Sequence, residues 1–387
     1  MKICLVSSSF YPAFSYGGPV FSTRDLCKHL GSQGIQIYVS TTNANGKERL
    51  KKVNTKLHEK VFKNVWVRYY HEQFLNLFSF NFLLNVWRDI RDADIVYIQY
   101  IFSYTVPIAL FYSFLFRKKV VLCPRGSFSD FTLSYRFSFL KNIWIYLLIK
   151  PFRNIINWHA CSYLEKNDIL SFFPNSNVEI ITDGVDYDNF QSSLLFSNEE
   201  IIERLTGQKF DKVSDVIVSI GRIHHIKRFD VLINAFNLFL KDQPYAKLII
   251  AGEDDGMKTE IEHQIVNLGL IDSVFLIGFV DHNQKKELLT NATFFVLSSD
   301  FESFGIVIIE ALACGCPVVV SNKTPWKDLG KNKCGIFTAN DEQSFYVAFK
   351  QISRVTINKE SCRDYVVDNF DWSIVTGSFL HFLKRIS

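Results

Sequence analysis

Short apolar segments alternate with longer, helically patterned segments along most of the chain, and this alternation limits the possible fold more than any other feature. The N-terminal residues KICLVSSS read as a strand, FYPAFSYGGP as a glycine-containing loop, residues 20–30 as a helix, and IQIYVST as the next strand. DIVYIQY and KKVVLCP continue this first series. Strand, loop, helix and strand form the unit of a doubly wound parallel sheet, so the pattern predicts an α/β protein.

A second series of strand-like segments follows, namely DVIVSIG, AKLIIAG, VFLIGFV, TFFVLSS and PVVVSN. Between the two series, the stretch ITDGVDYDNF interrupts the pattern with glycine, aspartates and asparagine. A chain of 387 residues also exceeds what one hydrophobic core usually serves. The sequence therefore predicts an N-terminal domain over residues 1–183 and a C-terminal domain over 184–370. A closing amphipathic helix over 371–387 is expected to pack on either domain, including back on the N-terminal one.

Composition excludes several classes of protein. Apolar residues make up 48% of the chain and charged residues 21%, which is typical of a folded globular protein, and a net charge of +4 gives no support to nucleic-acid binding. The eight cysteines lack the short paired spacings of a zinc site or a disulfide framework. The first residues, MKICLVSSSF, lead straight into a folded pattern and lack the features of a signal peptide, so a cytoplasmic location is predicted.

The segment from residue 74 to residue 156 is crowded with aromatic and basic residues, as in FSYTVPIALFYSFLFRKK and FSFLKNIWIYLLIKPFRN. Its apolar runs are shorter than the roughly 18 to 20 residues that a membrane-spanning helix needs. Two interpretations stay open: buried aromatic-rich helices, or an interfacial surface that docks on anionic lipid. Each can hold for a different face. From the second we predict peripheral association with the inner face of the plasma membrane.

The strongest local signal is SSDFESFGIVIIEALACGCPVVVS, in which Gly305 lies at a predicted helix start between Glu302 and Glu310. Free backbone amides and the helix dipole favour a phosphate at that position. Glu302 can accept hydrogen bonds from sugar hydroxyls, and Glu310, about two turns into the helix, can reach a ribose diol. Spacing alone also fits a dipole-favouring Glu302 and a solvated Glu310. The apolar context IVIIEALAC favours a ligand, because a buried carboxylate is costly without a hydrogen-bond partner.

The second signal is VSIGRIHHIKRFDVLINAF, where a strand ends at Gly221 and Arg222 and a helix begins near Lys227. The two cations could neutralise a diphosphate without a metal ion, and so meet the charge that grows on a leaving phosphate. Seen alone, two basic residues in such a loop also fit a role in solubility. His224 and His225 lack a nearby carboxylate or cysteine to complete a metal site.

The motifs together resemble the retaining glycosyltransferases of the GT-B group 1, or family 4. GRIHHIKRFDVLINAF, LIIAGEDDG, VFLIGFV and FESFGIVIIEALACGCPVVVS match the family in spacing and order over roughly residues 216–329. In the first half, the Gly17–Gly18 loop, LCPRGSF, WHACSYLEKNDI and ITDGVDYDNF also resemble it. The resemblance implies two Rossmann-like doubly wound domains that face each other across a cleft and close over the substrates.

The resemblance also implies roles for individual residues. Glu302, Arg222 and Lys227 would be catalytic, with the transferred sugar on Glu302 and the donor diphosphate on the two cations. The donor would be a nucleotide diphosphate sugar, with no further cofactor and no metal. The acceptor would be a glycan of cell-surface polysaccharide or lipopolysaccharide synthesis, and the aromatic and basic segment over residues 74–156 predicts that it is lipid-linked. The expected substrate-binding residues of the N-terminal domain are Gly17, Gly18 and Arg125, the last toward the acceptor or a donor phosphate. In the C-terminal domain, Gly278, Phe279 and Val280 are expected to meet the base and Glu310 the ribose. Gly221, Phe304 and Gly305 complete the expected substrate-binding residues.

Some positions depart from the family pattern. Arg125 and Gly126 stand in PRGSF where many members have histidine before the glycine, so no histidine contact to the acceptor is expected. Arg228 replaces a usual glycine after Lys227, Ser298 stands where proline is common, and Asp183 replaces the asparagine before Gly184.

Two alternative functions follow from the same pattern. A non-catalytic membrane-surface scaffold could keep the fold, although intact Arg222, Lys227, Glu302 and Glu310 speak against it. A nicotinamide dehydrogenase would also have two α/β domains. However, FSYGGPVFS lacks the G-x-G-x-x-G motif, and no acidic residue ends the second strand.

Overall fold

The computed structural model describes residues 1–73, 78–135, 137–191, 194–355 and 357–387. The chain divides into two compact units, residues 1–184 with 372–387 and residues 185–371. The boundary between the units follows Gly184, one residue after the boundary predicted from the sequence. The C-terminal helix predicted over residues 371–387 belongs to the first unit. Within the aromatic segment, residues 74–77 and 136 lie outside the described residues.

The first unit is built on an eight-stranded sheet in the order β10-β9-β8-β7-β1-β2-β6-β5. All neighbours are parallel except β5, which runs antiparallel to β6 at the edge. The central strands are buried on both faces, which explains their uninterrupted apolar sequences. The strands are β1 (Lys2–Val6), β2 (Gln36–Thr42), β3 (Ala44–Asn45), β4 (Glu48–Arg49), β5 (Glu59–Phe62), β6 (Val65–Tyr70), β7 (Ile95–Gln99), β8 (Lys119–Cys123), β9 (Ile156–Ala160) and β10 (Val178–Ile180).

Helices connect the parallel strands of this unit. They are α1 (Gly18–Ser32), α2 (Phe80–Arg91), α3 (Thr105–Leu115), α4 (Asp130–Ser134), α5 (Ser138–Trp144) and α6 (Tyr163–Phe172). After α5 the chain continues without a break into a π-helical turn (Ile145–Ile149) and a 3-10 turn (Lys150–Ile155). Among the described residues, no helix is long and apolar enough to cross a membrane.

The last helix, α14 (Trp372–Ile386), completes the first unit. The ring of Phe379 packs edge-on against both Tyr97 and His159, with ring centroids 5.4 Å apart in each pair. The indole of Trp372 lies against Gly184, where an added Cβ would come within 2.6 Å of the ring. A glycine is therefore required at position 184 for this packing.

The second unit contains a six-stranded, fully parallel sheet in the order β13-β12-β11-β14-β15-β16. This is the strand order of a doubly wound Rossmann-like fold. The α/β fold with two parallel-sheet domains, predicted from the alternating pattern, is confirmed. The strands are β11 (Val216–Ile220), β12 (Lys247–Ala251), β13 (Val274–Gly278), β14 (Phe294–Leu297), β15 (Val318–Ser321) and β16 (Gly335–Thr338).

The helices of the second unit cover the faces of this sheet. Leu232, Phe236 and Phe239 from one helix and Phe345 and Phe349 from another are buried in the same core. The helices are α7 (Asn198–Thr206), α8 (Phe229–Leu240), α9 (Lys258–Asn267), α10 (His282–Asn291), α11 (Ile306–Ala313), α12 (Glu342–Arg354) and α13 (Lys359–Phe370).

Candidate functional site

The point where strand order reverses in the second sheet lies between β11 and β14. β11 pairs with β12 on one side and with β14 on the other. Open parallel α/β sheets bind ligands beyond the carboxyl ends of their strands at this point. The loop after β11 carries Gly221, Arg222 and Lys227, and the loop after β14 carries Glu302. The topology therefore brings the residues predicted to be catalytic to the same edge of one sheet.

Hydrogen bonds fasten these two loops to each other. The Ser298 hydroxyl donates to the carbonyl of Lys227 at 2.7 Å, and the Asp300 amide donates to the carbonyl of Ile226 at 2.8 Å. As a result, Nζ of Lys227 lies 2.5 Å from Oε1 of Glu302, which also accepts a hydrogen bond from the Ser299 hydroxyl at 2.8 Å. Both charged side chains are largely buried. Two residues predicted to be catalytic therefore form an ion pair with each other, which the sequence analysis did not predict.

Gly221 gives the Lys227 side chain its position. A Cβ at residue 221 would lie 3.0 Å from Cε of Lys227, so the lysine stem runs directly over the glycine. Gly252, at the end of β12, approaches the same backbone, because its Cβ would lie 1.9 Å from the carbonyl oxygen of Gly221. No side chain larger than hydrogen fits at 252 without moving the strand ends.

Arg222 points to a different partner. Its Nη1 atom lies 2.5 Å from Oδ2 of Asp255, in the turn after β12, and its side chain is 52% exposed. The structure therefore brings Lys227 and Glu302 together, whereas the guanidinium of Arg222 is paired with Asp255 at the solvent edge. The sequence analysis did not identify Asp255, although it lies in the quoted motif LIIAGEDDG.

Helix α11 begins beside these loops with Gly305 in the left-handed region, at φ +89°. The indole Nε1 of Trp326 donates a hydrogen bond to the carbonyl of Phe304 at 2.6 Å, which fixes the turn before the helix. Among the described residues, no side chain caps this helix. Its first-turn amides thus keep the donors that favour an anion at a helix N-terminus.

Glu310 lies in the middle of α11, and its carboxylate forms an ion pair with Lys285 of α10. Both side chains are mostly buried. The sequence analysis required a partner for a carboxylate in an apolar helix, and the structure supplies Lys285 from a helix that carries no recognised motif. Neither spacing nor periodicity in the sequence links the two positions.

The segment predicted to meet the base follows β13. Gly278 has φ +74°, and its carbonyl accepts a hydrogen bond from the Gly252 amide at 2.7 Å. Phe279 presents a ring that is 64% exposed, and Val280 precedes Asp281, the capping residue of α10. The strand ends at Gly221, Gly252 and Gly278 thus present backbone atoms and no side chain. The exposed ring of Phe279 follows the third of these glycines in the chain.

In the first unit, Gly17 and Gly18 connect the turn after β1 to α1. Gly17 adopts φ +69° and caps the helix, which an L side chain would strain. At Gly18 an added Cβ would meet no atom of the described residues within 4 Å. The fold of the described residues therefore gives no steric reason for glycine at 18.

Arg125 is held inside the first unit by Asp183. Its Nη1 atom donates to both carboxylate oxygens, at 2.7 and 2.9 Å, and its side chain is only 2% exposed. This geometry differs from the prediction that the Arg125 side chain contacts a substrate, because the guanidinium is already engaged and covered. The departure at Asp183, noted in the sequence, supplies the partner of the departure at Arg125.

Beside this ion pair lies a buried group that could hold a metal ion. Among the described residues, the ligand atoms of Cys123, His159 and Cys161 lie within 4.8 Å of one another. Nε2 of His159 donates to the carbonyl of Ile181 at 2.8 Å, and Nη1 of Arg125 donates to Sγ of Cys161 at 3.1 Å. The sequence analysis did not identify this group, since Cys123 ends β8 whereas His159 and Cys161 lie in and after β9, more than thirty positions later.

Glu165 of α6 completes the polar interior beside Arg125. Its carboxylate accepts hydrogen bonds from the amides of Gly126 at 2.5 Å and Cys161 at 2.6 Å. Burial, with a smaller contribution from the charge of Cys123, raises the pKa of Glu165 to about 7. A carboxyl group that titrates near neutrality therefore holds the loop that carries Arg125.

Fold and site together define a class. Two Rossmann-like sheets, with a cation, a carboxylate and an uncapped helix at the switch point of the second, are the parts of a GT-B glycosyltransferase. Residues 203–369 match the family described as glycosyl transferases group 1, and residues 16–189 match glycosyltransferase family 4. The chain belongs to this group 1, family 4-like family of glycosyltransferases, which removes the dehydrogenase alternative.

Individual relatives agree with this assignment. The chain is 30% identical over 206 residues to the glycosyltransferase MJ1607 of Methanocaldococcus jannaschii, covering 53% of this chain and 51% of that protein. It is 31% identical over 212 residues to the N-acetylgalactosamine-N,N'-diacetylbacillosaminyl-diphospho-undecaprenol 4-alpha-N-acetylgalactosaminyltransferase of Campylobacter jejuni, covering 54% and 53%. The chain thus spans about half the length of these two relatives.

The fold of the whole chain has a counterpart among solved structures. HepE (Alr3699) of Anabaena, solved in complex with UDP, superposes with a TM-score of 0.77 over 100% of both chains, at 19% sequence identity. At this identity the likeness establishes the fold alone.

Proposed function

We propose that the protein transfers a sugar, with retention of anomeric configuration, from a nucleotide diphosphate sugar to a glycan acceptor. The observation that carries this proposal is the Lys227–Glu302 pair, held by two interlocked loops at the switch point of the second sheet. A buried cation beside an uncapped helix N-terminus suits a diphosphate, and a carboxylate at the same place suits sugar hydroxyls.

Binding of the donor would exchange one partner of Lys227 for another. In the ligand-free protein the ammonium of Lys227 is paired with Glu302. A diphosphate that approaches the start of α11 competes for that ammonium and leaves Oε1 of Glu302 to accept hydrogen bonds from the sugar. The same exchange at Arg222 would release Asp255. Each cation then faces the phosphate oxygen that gains charge as the bond to the anomeric carbon breaks.

The ribose and the base of the donor would be bound by residues next to the diphosphate site. Glu310 would accept hydrogen bonds from the ribose diol through the carboxylate that Lys285 orients. The backbone from Gly278 to Val280 would meet the base, with the exposed ring of Phe279 beside it. We propose that Arg222 and Lys227 neutralise the diphosphate without a resident metal ion, so that a chelator such as EDTA leaves the transfer rate unchanged.

The acceptor is proposed to be a lipid-linked glycan of cell-surface polysaccharide or lipopolysaccharide synthesis, with the acceptor bound by the first unit. The name of the Campylobacter jejuni relative describes a diphospho-undecaprenol acceptor for that enzyme, and the aromatic segment of the first unit suits a membrane surface. The protein would then work in the cytoplasm as a peripheral protein on the inner face of the plasma membrane.

A thermal-shift screen with nucleoside diphosphates and their sugars tests the proposal. A ligand that binds only the native protein raises its melting temperature in proportion to its affinity. The sugar that scores best is then offered with polyprenyl-linked acceptors, and proton NMR of the product reports the anomeric configuration. A protein that binds and hydrolyses no nucleotide sugar would support the scaffold alternative instead.

A further inference from the structure

The helical segment Ser138–Ile155 of the first unit is apolar on two opposite faces. Ile145 and Ile149 are buried in the core, and Nε1 of Trp144 donates to the carbonyl of Ile101 at 2.9 Å. The opposite side carries a row of exposed apolar side chains at helical spacing, which we call the outer face: Phe139, Leu140, Ile143, Tyr146 and Leu147. A surface helix normally turns polar residues to water, so such a face is unusual.

Exposure on the outer face is extensive. Phe139 is 74% exposed, Tyr146 64% and Leu147 60%. Scattered single apolar residues are ordinary on a protein surface, whereas a contiguous apolar patch marks an interaction site. The chain therefore presents a continuous apolar strip where it could have presented polar side chains at no cost to the core.

A second element extends the outer face. Helix α3 exposes Phe111, Phe114 and Leu115 near its C-terminus. The ring of Phe114 packs edge-on against Phe152 of the 150–155 turn, with centroids 6.0 Å apart. This contact packs the end of α3 against the turn that follows the outer face in the chain, so α3 adds exposed apolar side chains next to the same helical segment.

The sequence around this surface is rich in basic residues. Residues 95–164 contain eight lysines and arginines and one acidic residue, Asp130. One of these cations, Arg125, is buried and paired with Asp183, and Asp168 of α6 lies just after this range. The whole chain is almost balanced, with 43 basic and 39 acidic residues. Near the outer face, Nζ of Lys150 lies 4.9 Å from the ring centroid of Tyr146, and Arg153 is exposed. Exposed aromatic and aliphatic side chains bordered by cations fit the boundary between the headgroups and acyl chains of an anionic membrane.

The outer face also contains a hollow. A cavity of about 500 Å³ opens beside α5 and the π-helical turn, a volume within the range of small-molecule sites. Most of its lining is apolar, so a hydrocarbon chain fits it better than a sugar. The lining includes Phe139, Ile143, Tyr146, Leu147, Lys150 and Phe172.

We propose that the outer face and the exposed end of α3 dock on an anionic lipid bilayer, with the apolar side chains among the acyl chains and Lys150 and Arg153 at the phosphate level. The cavity would receive the end of one lipid hydrocarbon chain. This inference rests on the proposed function, because a lipid-linked acceptor gives the docking its purpose. The sequence analysis predicted a membrane contact for residues 74–156 as a whole, and the inference assigns that contact to named side chains on one surface.

Vesicle co-sedimentation of the full chain at low salt tests this inference, with phosphatidylcholine vesicles that contain or lack phosphatidylglycerol. The wild-type protein is expected to bind only the anionic vesicles. Phe139→Asp with Leu147→Asp should weaken that binding about tenfold or more, and Lys150→Ala with Arg153→Ala about fivefold per cation removed. Both double variants should melt like the wild type, because the replaced side chains lie at the surface.

Matched controls come from exposed residues elsewhere. Leu195→Asp with Ile271→Asp in the second unit, and Lys51→Ala with Lys52→Ala in the first, replace exposed side chains of the same kinds and should bind vesicles like the wild type. Failure of the wild type to bind anionic vesicles, or unchanged binding by the Phe139/Leu147 variant, would overturn the inference. A dimer that this variant dissociates, without vesicle binding, would make the face a protein interface and overturn it too.

The same samples separate this inference from the proposed function. Nucleoside diphosphate binding is titrated without lipid, and it depends on residues of the second unit. Nucleotide binding without vesicle binding would leave the transferase proposal intact and remove the docking surface. Vesicle binding without binding of any nucleotide or nucleotide sugar would do the reverse.

Discussion

Nζ of Lys227 lies 2.5 Å from Oε1 of Glu302, although the two residues follow different strands of the second sheet. The hydroxyl of Ser298 and the amide of Asp300 bond to the backbone around Lys227 and keep the two loops together. A pair of opposite charges in a largely buried position is stable only while both partners are present. The Lys227–Glu302 pair is thus a structural element of the second unit, and under the proposed function a donor diphosphate would compete with Glu302 for the ammonium of Lys227.

Glu302→Gln should separate binding from transfer. The amide keeps the shape of the side chain but cannot hold the ammonium of Lys227 by charge, so the lysine is available to a diphosphate. We expect nucleoside diphosphate binding as tight as that of the wild type or tighter, and a transfer rate lower by about a hundredfold or more. Calorimetric titration and a radiolabelled transfer assay measure the two quantities. Loss of nucleotide binding in this variant would contradict the assigned role of Glu302.

Asp255→Asn should strengthen the binding of a diphosphate. Asp255 holds the guanidinium of Arg222 in the ligand-free protein, and both side chains are substantially exposed. An exposed pair is weak, so its release should tighten nucleoside diphosphate binding by only about two- to fivefold. Asp328→Asn removes the carboxylate of another exposed ion pair of the same unit and serves as the control. Weaker binding by the Asp255 variant would show that Asp255 itself contacts the ligand.

Glu310→Ala should affect ligands according to whether they contain a ribose. Its carboxylate, oriented by Lys285, is expected to accept hydrogen bonds from the diol. We predict that the variant binds a nucleoside diphosphate about tenfold more weakly, whereas its affinity for inorganic pyrophosphate is unchanged. Competition titrations with the two ligands make the comparison. An equal loss for both would mean that Glu310 acts on the diphosphate or on the fold of the site.

Glu165 should make the stability of the protein depend on pH. Burial raises the pKa of its carboxyl group in the folded state to about 7. The folded state therefore binds this proton more tightly than the unfolded state does. The resulting contribution to the free energy of unfolding is fully present below the ordinary pKa of a glutamate and is lost as pH rises through 7. The loss amounts to about 3 kcal/mol in the free energy of unfolding.

Urea denaturation at pH 5 and pH 8 measures this dependence. Part of the loss has already occurred at pH 5, which lies above the ordinary pKa. Glu165→Gln cannot ionise, so the decrease in stability between pH 5 and pH 8 should be smaller by about 2.5 kcal/mol than in the wild type. The variant also loses one of two backbone hydrogen bonds, which lowers its stability equally at both pH values. Glu48→Gln, at an exposed position of the same unit, should follow the wild type. Identical pH profiles for wild type and Glu165→Gln would refute the assignment.

The sequence was sufficient to predict a site residue where the same segment also predicts the strand and loop that position this residue. Gly221 and Lys227 lie in the loop after β11 and Glu302 in the loop after β14, and the parallel arrangement of those two neighbouring strands brings the loops to one edge of the sheet. The edge strands of both sheets were harder to predict. The sequence analysis did not identify β5, β6, β9 and β10 of the first sheet or β16 of the second as strands, and β9 overlaps the quoted motif WHACSYLEKNDI.

Contacts between distant segments could not be predicted. Lys285 and Glu310 lie on separate helices, and Arg125 and Asp183 are 58 positions apart, so no local pattern reports their pairing. The aromatic segment left two interpretations open for a physical reason. In Ser138–Ile155 apolar side chains occur on more than one side of the helical segment, and only the packing of Ile145 and Ile149 shows which side faces the core and which side is exposed.

The central claim is that Lys227 binds the diphosphate of the donor, and calorimetric titration of Lys227→Ala with the nucleoside diphosphate that stabilises the wild type tests it most directly. Loss of a largely buried charge-assisted contact should weaken binding by about tenfold to a hundredfold. Lys350→Ala, which breaks an ion pair with Asp242 in the same unit, should bind like the wild type. An unchanged dissociation constant in Lys227→Ala would contradict the account.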